Sequence, residues 1–159
     1  MIYSFISWSS FMKLTNIDEL MEMWNNDSTI DDTEPSRELA KIPNLHAKYL
    51  RILSQHNLIV RKLQNDYNTL KSVKWSYYSG DLNNPEDLAK YGYEPWSKKV
   101  LRQDIQIYLD SDTDLNKILL KKIVHQEIVD FCTSVLKELG NRTWQLKTIV
   151  DWERFVGGK

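Results

Sequence analysis

The stretch NLHAKYLRILSQHNLIVRKLQNDYNTLKSVKWSYY, residues 44–78, decides the fold. It contains no glycine and no proline, and apolar or weakly polar side chains recur along it at steps of three or four residues. These are Leu45, Tyr49, Ile52, His56, Ile59, Leu63, Tyr67, Leu70 and Val73. The spacing predicts one long amphipathic helix of about 35 residues, roughly 50 Å in length. A helix of this length is expected to pack against partner helices, including those of other subunits.

Few residues that interrupt helices occur in the rest of the chain. Five glycines and four prolines in 159 residues favour long helices over a β-sandwich or barrel, which needs many turns. Further helices are predicted at about 17–25, 86–91, 115–139 and 143–155. The first long helix is expected to begin after Pro43 and to stop at Gly80, and Gly140 is expected to end the second. Residues 100–109 fit either a strand or a helix. The chain is therefore predicted to be all-α.

The near-zero net charge conceals a segregation of charge along the chain. The total is −1, from 21 basic and 22 acidic residues. The net charge is −6 over residues 13–34, +6 over 35–78, −4 over 79–114 and +3 over 115–159. A chain with this distribution can bind a polyanion through its basic part. Charge pairing between neighbouring segments or subunits is the structural alternative.

The charge pattern and the predicted helices divide the chain into three segments. Residues 1–34 form an N-terminal segment with an acidic arm, residues 35–112 hold the basic helix and a connector, and residues 113–159 form a C-terminal helical region. The apolar stretch 1–11 fits a sticky arm, a weak signal-like segment or residues upstream of a genuine start at Met12. The last interpretation is favoured because a polar helix start follows Met12, and nothing in the sequence argues for export.

The sequence holds no constellation of residues typical of an enzyme. The only Gly-Lys pair, Gly158-Lys159, has no helix after it, which excludes a phosphate-binding loop. His46, His56 and His125 have no second His or Cys at ligand spacing, so neither a metal nor a cofactor is expected. The single cysteine, Cys132, lies in an apolar stripe and is expected to be buried. No segment approaches the roughly 20 apolar residues that a membrane helix needs.

One acidic stretch, DSDTD at residues 110–114, superficially resembles a calcium-binding loop. Leu115 stands where that loop needs glycine, and Lys121 stands where it needs a bidentate glutamate. Acidic residues suit the positive end of a helix dipole, so a solvated helix N-terminus is the expected structure.

Basic and aromatic residues alternate where the long helix ends. The sequence KSVKWSYYSG, residues 71–80, brings Lys71, Lys74, Trp75, Tyr77 and Tyr78 close together. Cations neutralise phosphates and aromatic rings stack on bases, so the pattern is typical of sequence-tolerant binding to single strands. Other cations of the same helix are Lys48, Arg51, Arg61 and Lys62. The alternative is that the three aromatic side chains fill the end of a helical core and the lysines are solvated.

These residues, together with several short motifs, resemble the UvsY family, the recombination mediators of large tailed phages. The similarity covers most of the chain after Met12. Its motifs are WNNDSTIDD at 24–32, LHAKYL at 45–50, YYSG at 77–80 and DWERFVGGK at 151–159. The family typically has Tyr-Tyr-Ser-Gly after a long helix and ends in an aromatic residue followed by x-Gly-Lys or similar, and the order and spacing of the motifs are what make the resemblance specific.

The resemblance implies a non-enzymatic protein that binds single-stranded DNA as a ring-like homo-oligomer, hexameric or heptameric. Such mediators loosen the hold of the phage single-strand-binding protein and load a RecA-like recombinase onto the strand, in the host cell cytoplasm. The family's DNA contacts include a Lys-x-Arg-Leu element shortly before the two tyrosines. Here those positions hold Ser72, Lys74 and Trp75, so that Lys has no direct match, and Lys71 is the residue that can substitute for it.

Two sets of candidate site residues follow from this reasoning. The DNA-binding candidates are Lys71, Lys74, Trp75, Tyr77, Tyr78, Arg61 and Lys62. The family's C-terminal helices build the oligomer, which assigns oligomerisation here to Ile128, Phe131, Val135, Leu139, Leu146, Ile149, Trp152 and Phe155. The alternative function is a helical scaffold or adaptor without intrinsic DNA binding, in which the aromatic side chains form an interface core.

Overall fold

The structure, a computed structural model, describes residues 16–158. Its helices are α1 (Ile17–Ser28), α2 (Pro35–Ser79), α3 (Pro85–Tyr91), α4 (Ile105–Asp110) and α5 (Thr113–Val156). No strand occurs within the described range, which confirms the predicted all-α fold. None of the helices in this range has a stretch long and apolar enough to cross a membrane. The expected start at Met12 and the rest of residues 1–15 lie outside the described residues.

The long helix α2 begins earlier than the sequence predicts. Its expected start after Pro43 is wrong, because the helix begins at Pro35 and contains Pro43 in its third turn. A proline inside a helix lacks one N–H donor and crowds the preceding turn, which costs about 3 kcal/mol. Packing of the neighbouring side chains offsets this cost, since Ile42 is buried in the core and Leu39 packs against it. Tertiary contacts therefore override the local helix-breaking signal.

The second long helix, α5, also continues where the sequence predicts a break. It runs from Thr113 to Val156 and contains Gly140, so the expected end at this glycine is wrong. On one side of the glycine Leu139 is fully buried. On the other side Arg142 donates a hydrogen bond to the carbonyl of Ser28 at 3.1 Å. These contacts fix both parts of the helix and outweigh the roughly 1 kcal/mol that glycine costs in a helix interior.

The short helices follow their local signals. Asn16 caps α1 by accepting a hydrogen bond from the backbone N–H of Asp18 at 3.0 Å. Asn84 caps α3, and Gly92 ends it with a φ of 68°, in the left-handed region that favours glycine. Both predicted short helices are confirmed, although α1 is slightly longer than expected. Residues 100–109 fit either a strand or a helix by sequence, and the structure has the helix α4 there, beginning at Ile105.

The described residues form two compact units. The first contains the residues up to Leu58 and from Val124 onward, and the second is Ile59–Ile123, so α2 and α5 contribute to both. This grouping by contacts is a different kind of division from the three segments defined by charge, which follow chain order. Helices α1, α2 and α5 build the core of the first unit. Its buried side chains are Leu20, Ile42, Tyr49, Ile52, Ile128, Cys132, Val135, Leu139 and Leu146.

The second unit has a smaller core around the start of α5. Ile105 and Leu109 of α4 are buried there together with Leu115 of α5. The side chains that pack against these three are Tyr67, Leu70, Tyr78 and Val100. The stripe predicted along the long helix is confirmed, because each of its nine side chains is buried or partly buried within its own unit.

Candidate nucleic-acid interface

The predicted basic-aromatic segment forms the end of α2, within the second unit. The helix ends at Ser79, and Gly80 follows with a φ of 83°. Successive residues of an α-helix are rotated by about 100°, so the side chains of this segment enter different environments. Some are directed into the unit and others toward solvent, and their chemical roles differ accordingly.

Lys74 lies inside the unit rather than on its surface. Its side chain is buried, and its Nζ contacts the carboxylates of Asp112 and Asp114, each at 2.9 Å. The Nζ also lies 4.5 Å from the centre of the Tyr93 ring. Burial by itself would lower the pKa of Lys74, but the bonds to the two carboxylates outweigh it and hold the pKa above its usual range. The structure thus has Lys74 bonded to two carboxylates inside the unit, whereas the sequence predicts that it contacts the DNA strand.

Asp112 connects the end of α2 to the start of α5. Its Oδ1 accepts hydrogen bonds from the backbone N–H groups of Asp114 and Leu115, at 2.9 and 3.0 Å, and so caps α5. Its Oδ2 accepts from the Tyr78 hydroxyl at 2.7 Å. Burial tends to raise the pKa of Asp112, but these hydrogen bonds and the charge of Lys74 lower it. The acidic stretch is a helix start, as predicted, but Asp112 is buried and bonded rather than solvated.

Tyr77 and Tyr78 belong to a cluster of aromatic rings, with Tyr93, Trp96 and Tyr108. The centre of the Tyr77 ring lies 4.9 Å from that of Tyr93 and 5.4 Å from that of Trp96. The centre of the Tyr78 ring lies 5.0 Å from that of Trp96 and 5.6 Å from that of Tyr108. Burial and the bond to Asp112 raise the pKa of Tyr78 to about 12. For these two tyrosines, the interpretation that the rings fill the end of a helical core fits the geometry. We call these five rings the aromatic cluster.

Three of the remaining candidates, Lys71, Trp75 and Arg61, share one side of the same helix, whereas Lys62 lies about 180° around it from Lys71. Trp75 is 38% exposed, and Lys71, one turn earlier, is partly exposed with its Nζ 6.0 Å from the centre of the Tyr67 ring. Arg61 and Lys62 are exposed. Residues four apart on a helix are neighbouring positions on one face, so Lys71 and Trp75 follow each other one turn apart. The arrangement can offer one charge to a phosphate and one ring face to a base.

Several residues of this site escape sequence reasoning. Tyr93, Trp96 and Tyr108 complete the aromatic cluster, while Asp112 and Asp114 neutralise Lys74. The two acids lie about 40 residues after Lys74, and no local periodicity pairs positions that far apart. The available signal was compositional, since the connector is unusually rich in tyrosine and tryptophan for a segment without a long helix. The indole Nε1 of Trp96 is buried and meets no acceptor within the described chain.

Comparison with known proteins identifies the family. A model of the UvsY family, described as the recombination, repair and ssDNA binding protein UvsY, matches residues 23–159. The chain belongs to the UvsY family. The recombination protein uvsY of Enterobacteria phage T4 is 23% identical over 143 residues, which cover 90% of this chain and 98% of that relative. The predicted family resemblance is therefore confirmed, as is the function class of recombination, repair and single-stranded DNA binding.

Solved structures of the UvsY family have the same fold. Crystal structures of the bacteriophage T4 recombination mediator protein UvsY match with a TM-score of 0.77 in lattice type II and 0.76 in lattice type IV. The sequence identities are 22% and 21%. The matches cover 89% and 88% of this chain and 98% of each solved chain. At this level of identity the likeness establishes the fold.

The residues assigned to oligomerisation divide into two groups within the first unit. In the first group Ile128, Val135, Leu139 and Leu146 are buried in the subunit's own core, and Phe131 packs against that core. These five therefore stabilise the subunit itself, in contrast to the sequence-based assignment. The second group is exposed at the end of α5: Ile149 by 46%, Trp152 by 65% and Phe155 by 79%. This group presents the larger apolar surface, while Phe131 of the first group is partly exposed.

Two histidines and the single cysteine are the notable titratable groups among the described residues of the first unit. Nδ1 of His56 lies 2.9 Å from Nδ1 of His125, a pairing between residues distant in sequence, and burial lowers the pKa of both rings. Residues 16–158 contain no group of three or more side chains able to hold a metal ion. Cys132 is buried, as predicted, and burial raises the pKa of its thiol to about 11, so the thiol is protonated at neutral pH.

Proposed function

We propose that this chain is a recombination mediator of a phage, acting without enzymatic chemistry inside the host cell. It binds single-stranded DNA, loosens the hold of the single-strand-binding protein and loads a RecA-like recombinase during homologous recombination and repair. Membership of the UvsY family supports this function, as does the pairing of the partly exposed Lys71 with the exposed Trp75, one turn apart at the end of α2. That pairing is the observation that carries the proposal from the family to particular side chains.

The proposed strand contact is the outer side of α2 within the second unit. Arg61 and Lys71 supply positive charge along this side, and Trp75 supplies a ring on which a base can stack. Lys62 adds a cation on the opposite side of the helix. Stacking on an aromatic side chain contributes about 1–3 kcal/mol per base and tolerates any sequence. Tyr77 and Tyr78 hold the end of α2 in place, because their rings pack in the aromatic cluster. Lys74 positions the end of the helix through its two carboxylate partners.

The mechanism depends on repetition of this contact around a homo-oligomer, proposed to be a hexameric or heptameric ring. One contact of this size is weak, but linked copies raise the effective concentration of each site at the strand. A strand that follows several subunits must bend, which weakens the grip of a competing single-strand-binding protein. The bent, partly freed strand is then available to the recombinase.

The proposed interface between subunits is the exposed apolar stripe at the end of α5. Ile149, Trp152 and Phe155 recur at helical spacing and are joined by Trp144 and Val156, which are 71% and 64% exposed. The Trp152 and Phe155 ring centres lie 5.9 Å apart, so the two aromatic side chains form one continuous apolar surface. An exposed patch of this kind is typical of a protein interaction site.

Binding to a fluorescent oligothymidine across a range of salt concentrations, with native mass measured in parallel, tests the DNA-binding and assembly parts. We expect a discrete oligomer whose affinity falls steeply with salt, with a log–log slope of about 0.7 for each phosphate contacted. An intact oligomer without affinity at low salt would contradict the proposed strand contact and favour the helical scaffold.

Recombinase filament growth on DNA coated with the single-strand-binding protein tests the mediator activity itself. We expect the chain to shorten the delay before filament growth on coated DNA and to have no such effect on bare DNA. A chain that binds oligothymidine but leaves the delay unchanged would contradict the mediator function while retaining the strand contact. Cleavage of labelled DNA in the presence of Mg²⁺ would contradict the non-enzymatic part.

A further inference from the structure

The segment between α3 and α4 carries a second group of cations. Lys98, Lys99 and Arg102 lie within five residues, and all three side chains are exposed. No acidic residue occurs between Glu94 and Asp104, so the positive charge of this stretch is not neutralised by its sequence neighbours. The surrounding region, residues 79–114, has a net charge of −4, which is why an average over that region conceals the patch.

The connector segment is fixed to the core of the second unit between its cations. Val100 packs against the buried side chains of Ile105, Leu109 and Leu115. Because Val100 is held inward, the residues on both sides of it are directed outward, and Leu101 beside it is 64% exposed. The three cations are therefore presented by an anchored segment, even though it is not helical.

The same segment contacts the end of α2 through Trp96. The Lys98 Nζ lies 5.9 Å from the centre of the Trp96 ring, and the ring centre of Trp96 lies 5.4 Å from that of Tyr77. Tyr77 also donates a hydrogen bond to the carbonyl of Glu94 at 2.9 Å. Tyr77 belongs to the aromatic cluster, so the connector is held against the end of α2, the helix that also carries Trp75.

We propose that Lys98, Lys99 and Arg102 form a second binding site for the phosphodiester backbone of single-stranded nucleic acid. This inference rests on the proposed function and extends its strand contact from the helix α2 to the connector. Three exposed cations on an anchored segment suit a phosphate backbone, and the exposed Trp75 of α2 supplies the ring for a base. Such a site binds strands of any sequence, because contacts between cations and phosphates carry no sequence information.

A triple variant with a charge-matched control tests the site. The variant carries Lys98→Ala, Lys99→Ala and Arg102→Ala, and the control carries Lys117→Ala, Lys121→Ala and Lys137→Ala, which are exposed lysines of α5. Both lose three positive charges, so an effect of net charge alone would be equal in the two. In the triple variant we expect the salt slope for oligothymidine to fall by about 2 for each engaged subunit, and the affinity at 0.1 M salt to fall by about 100-fold for each engaged subunit.

The possible outcomes separate this inference from the function on which it rests. If the wild-type chain binds oligothymidine and the triple variant keeps the same affinity and slope, the connector site is wrong and the strand contact on α2 remains. An equal loss in variant and control would also overturn the site. If the wild-type chain does not bind, the proposed function itself fails.

Footprinting of the unmodified chain gives a second measurement that needs no variant to fold. Amine acetylation with and without oligothymidine is mapped by mass spectrometry. We expect Lys98 and Lys99 to be protected by the strand, while Lys121 reacts equally in both samples. Undiminished acetylation of Lys98 and Lys99 at saturating oligothymidine would overturn the site and leave a protein partner as the ligand of these cations.

Discussion

Lys71 and Lys74 show how far the environment of a residue can depart from its apparent role. They stand three positions apart on one helix, in a segment where each is equally plausible as a phosphate contact. Lys74 is buried against Asp112 and Asp114, whereas Lys71 is partly exposed one turn before Trp75. A cation already neutralised inside the fold stabilises that fold, and a cation on the surface is available to a ligand.

Substitution of these two lysines should therefore separate stability from binding. Lys74→Ala leaves the buried carboxylate of Asp112 without its counter-charge, and removing one partner of a buried pair costs about 3 kcal/mol or more. We expect urea denaturation at a fixed protein concentration to show this loss. Lys71→Ala, the matched control, should change stability by less than about 0.5 kcal/mol and lower the oligothymidine salt slope by about 0.7. Equal stability losses in the two variants would contradict the distinction.

At the scale of elements, both long helices pass through residues that ordinarily end helices. Pro43 lies in the third turn of α2 and Gly140 lies within α5. In each case the flanking side chains are held by tertiary contacts, such as the burial of Ile42 and Leu139. Each of these residues still lowers the free energy of unfolding, and a substitution that favours the helix can recover that loss.

Gly140→Ala should stabilise the chain by roughly 0.5–1 kcal/mol. The residue is helical, and a Cβ at this position meets no atom within 4 Å, so the gain in helix propensity has no steric cost. Thermal unfolding monitored by circular dichroism measures the effect. Gly92→Ala is the contrasting variant: it also has free space, but its φ of 68° disfavours a side chain, and we expect it to destabilise by about 1 kcal/mol. Destabilisation by Gly140→Ala would show that the glycine is needed where it stands.

Local sequence patterns predict the elements well and their partners poorly. The stripe from Leu45 to Val73, the cap at Asn84 and the terminator Gly92 all act over a few residues, so a single sequence reveals them. The pairing of His56 with His125 and that of Lys74 with Asp112 join residues far apart in the chain. Such contacts arise only when helices pack, and the sequence contains no periodic trace of them. The failed predictions at Pro43 and Gly140 have the same cause.

At the scale of the whole molecule, the apolar side chains in the second half of α5 form a buried group and an exposed group. Ile128, Val135, Leu139 and Leu146 fill the core of the first unit. Ile149, Trp152 and Phe155 are exposed, although Val150 beside them is buried. The sequence shows one continuous amphipathic pattern and does not reveal which of these apolar side chains are buried within the subunit and which are exposed. Burial in the folded subunit distinguishes them.

Trp152→Asp combined with Phe155→Asp should dissociate the oligomer without unfolding the subunit. Both side chains are exposed within the subunit, and burial of a large apolar side chain contributes about 1.5–3 kcal/mol, so each loss weakens the interface in every subunit. Native mass should shift to the monomer while the helical circular dichroism signal is kept. The control, Asp151→Ala with Glu153→Ala, changes exposed polar residues of the same turn and should remain assembled. An assembled aspartate variant would place the interface elsewhere.

The discontinuity of the first unit along the chain affects how the protein is made. Residues up to Leu58 emerge from the ribosome first, but their core also needs Ile128 and the side chains that follow it in α5. At about 5–20 residues per second, translation leaves the side chains of Tyr49 and Ile52 without that cover for roughly 4–16 s. The residues of the second unit, Ile59–Ile123, are contiguous and are all synthesised within this interval. A message broken before α5 thus yields a nascent chain with an open apolar face, a substrate for chaperones and proteases rather than a smaller working protein.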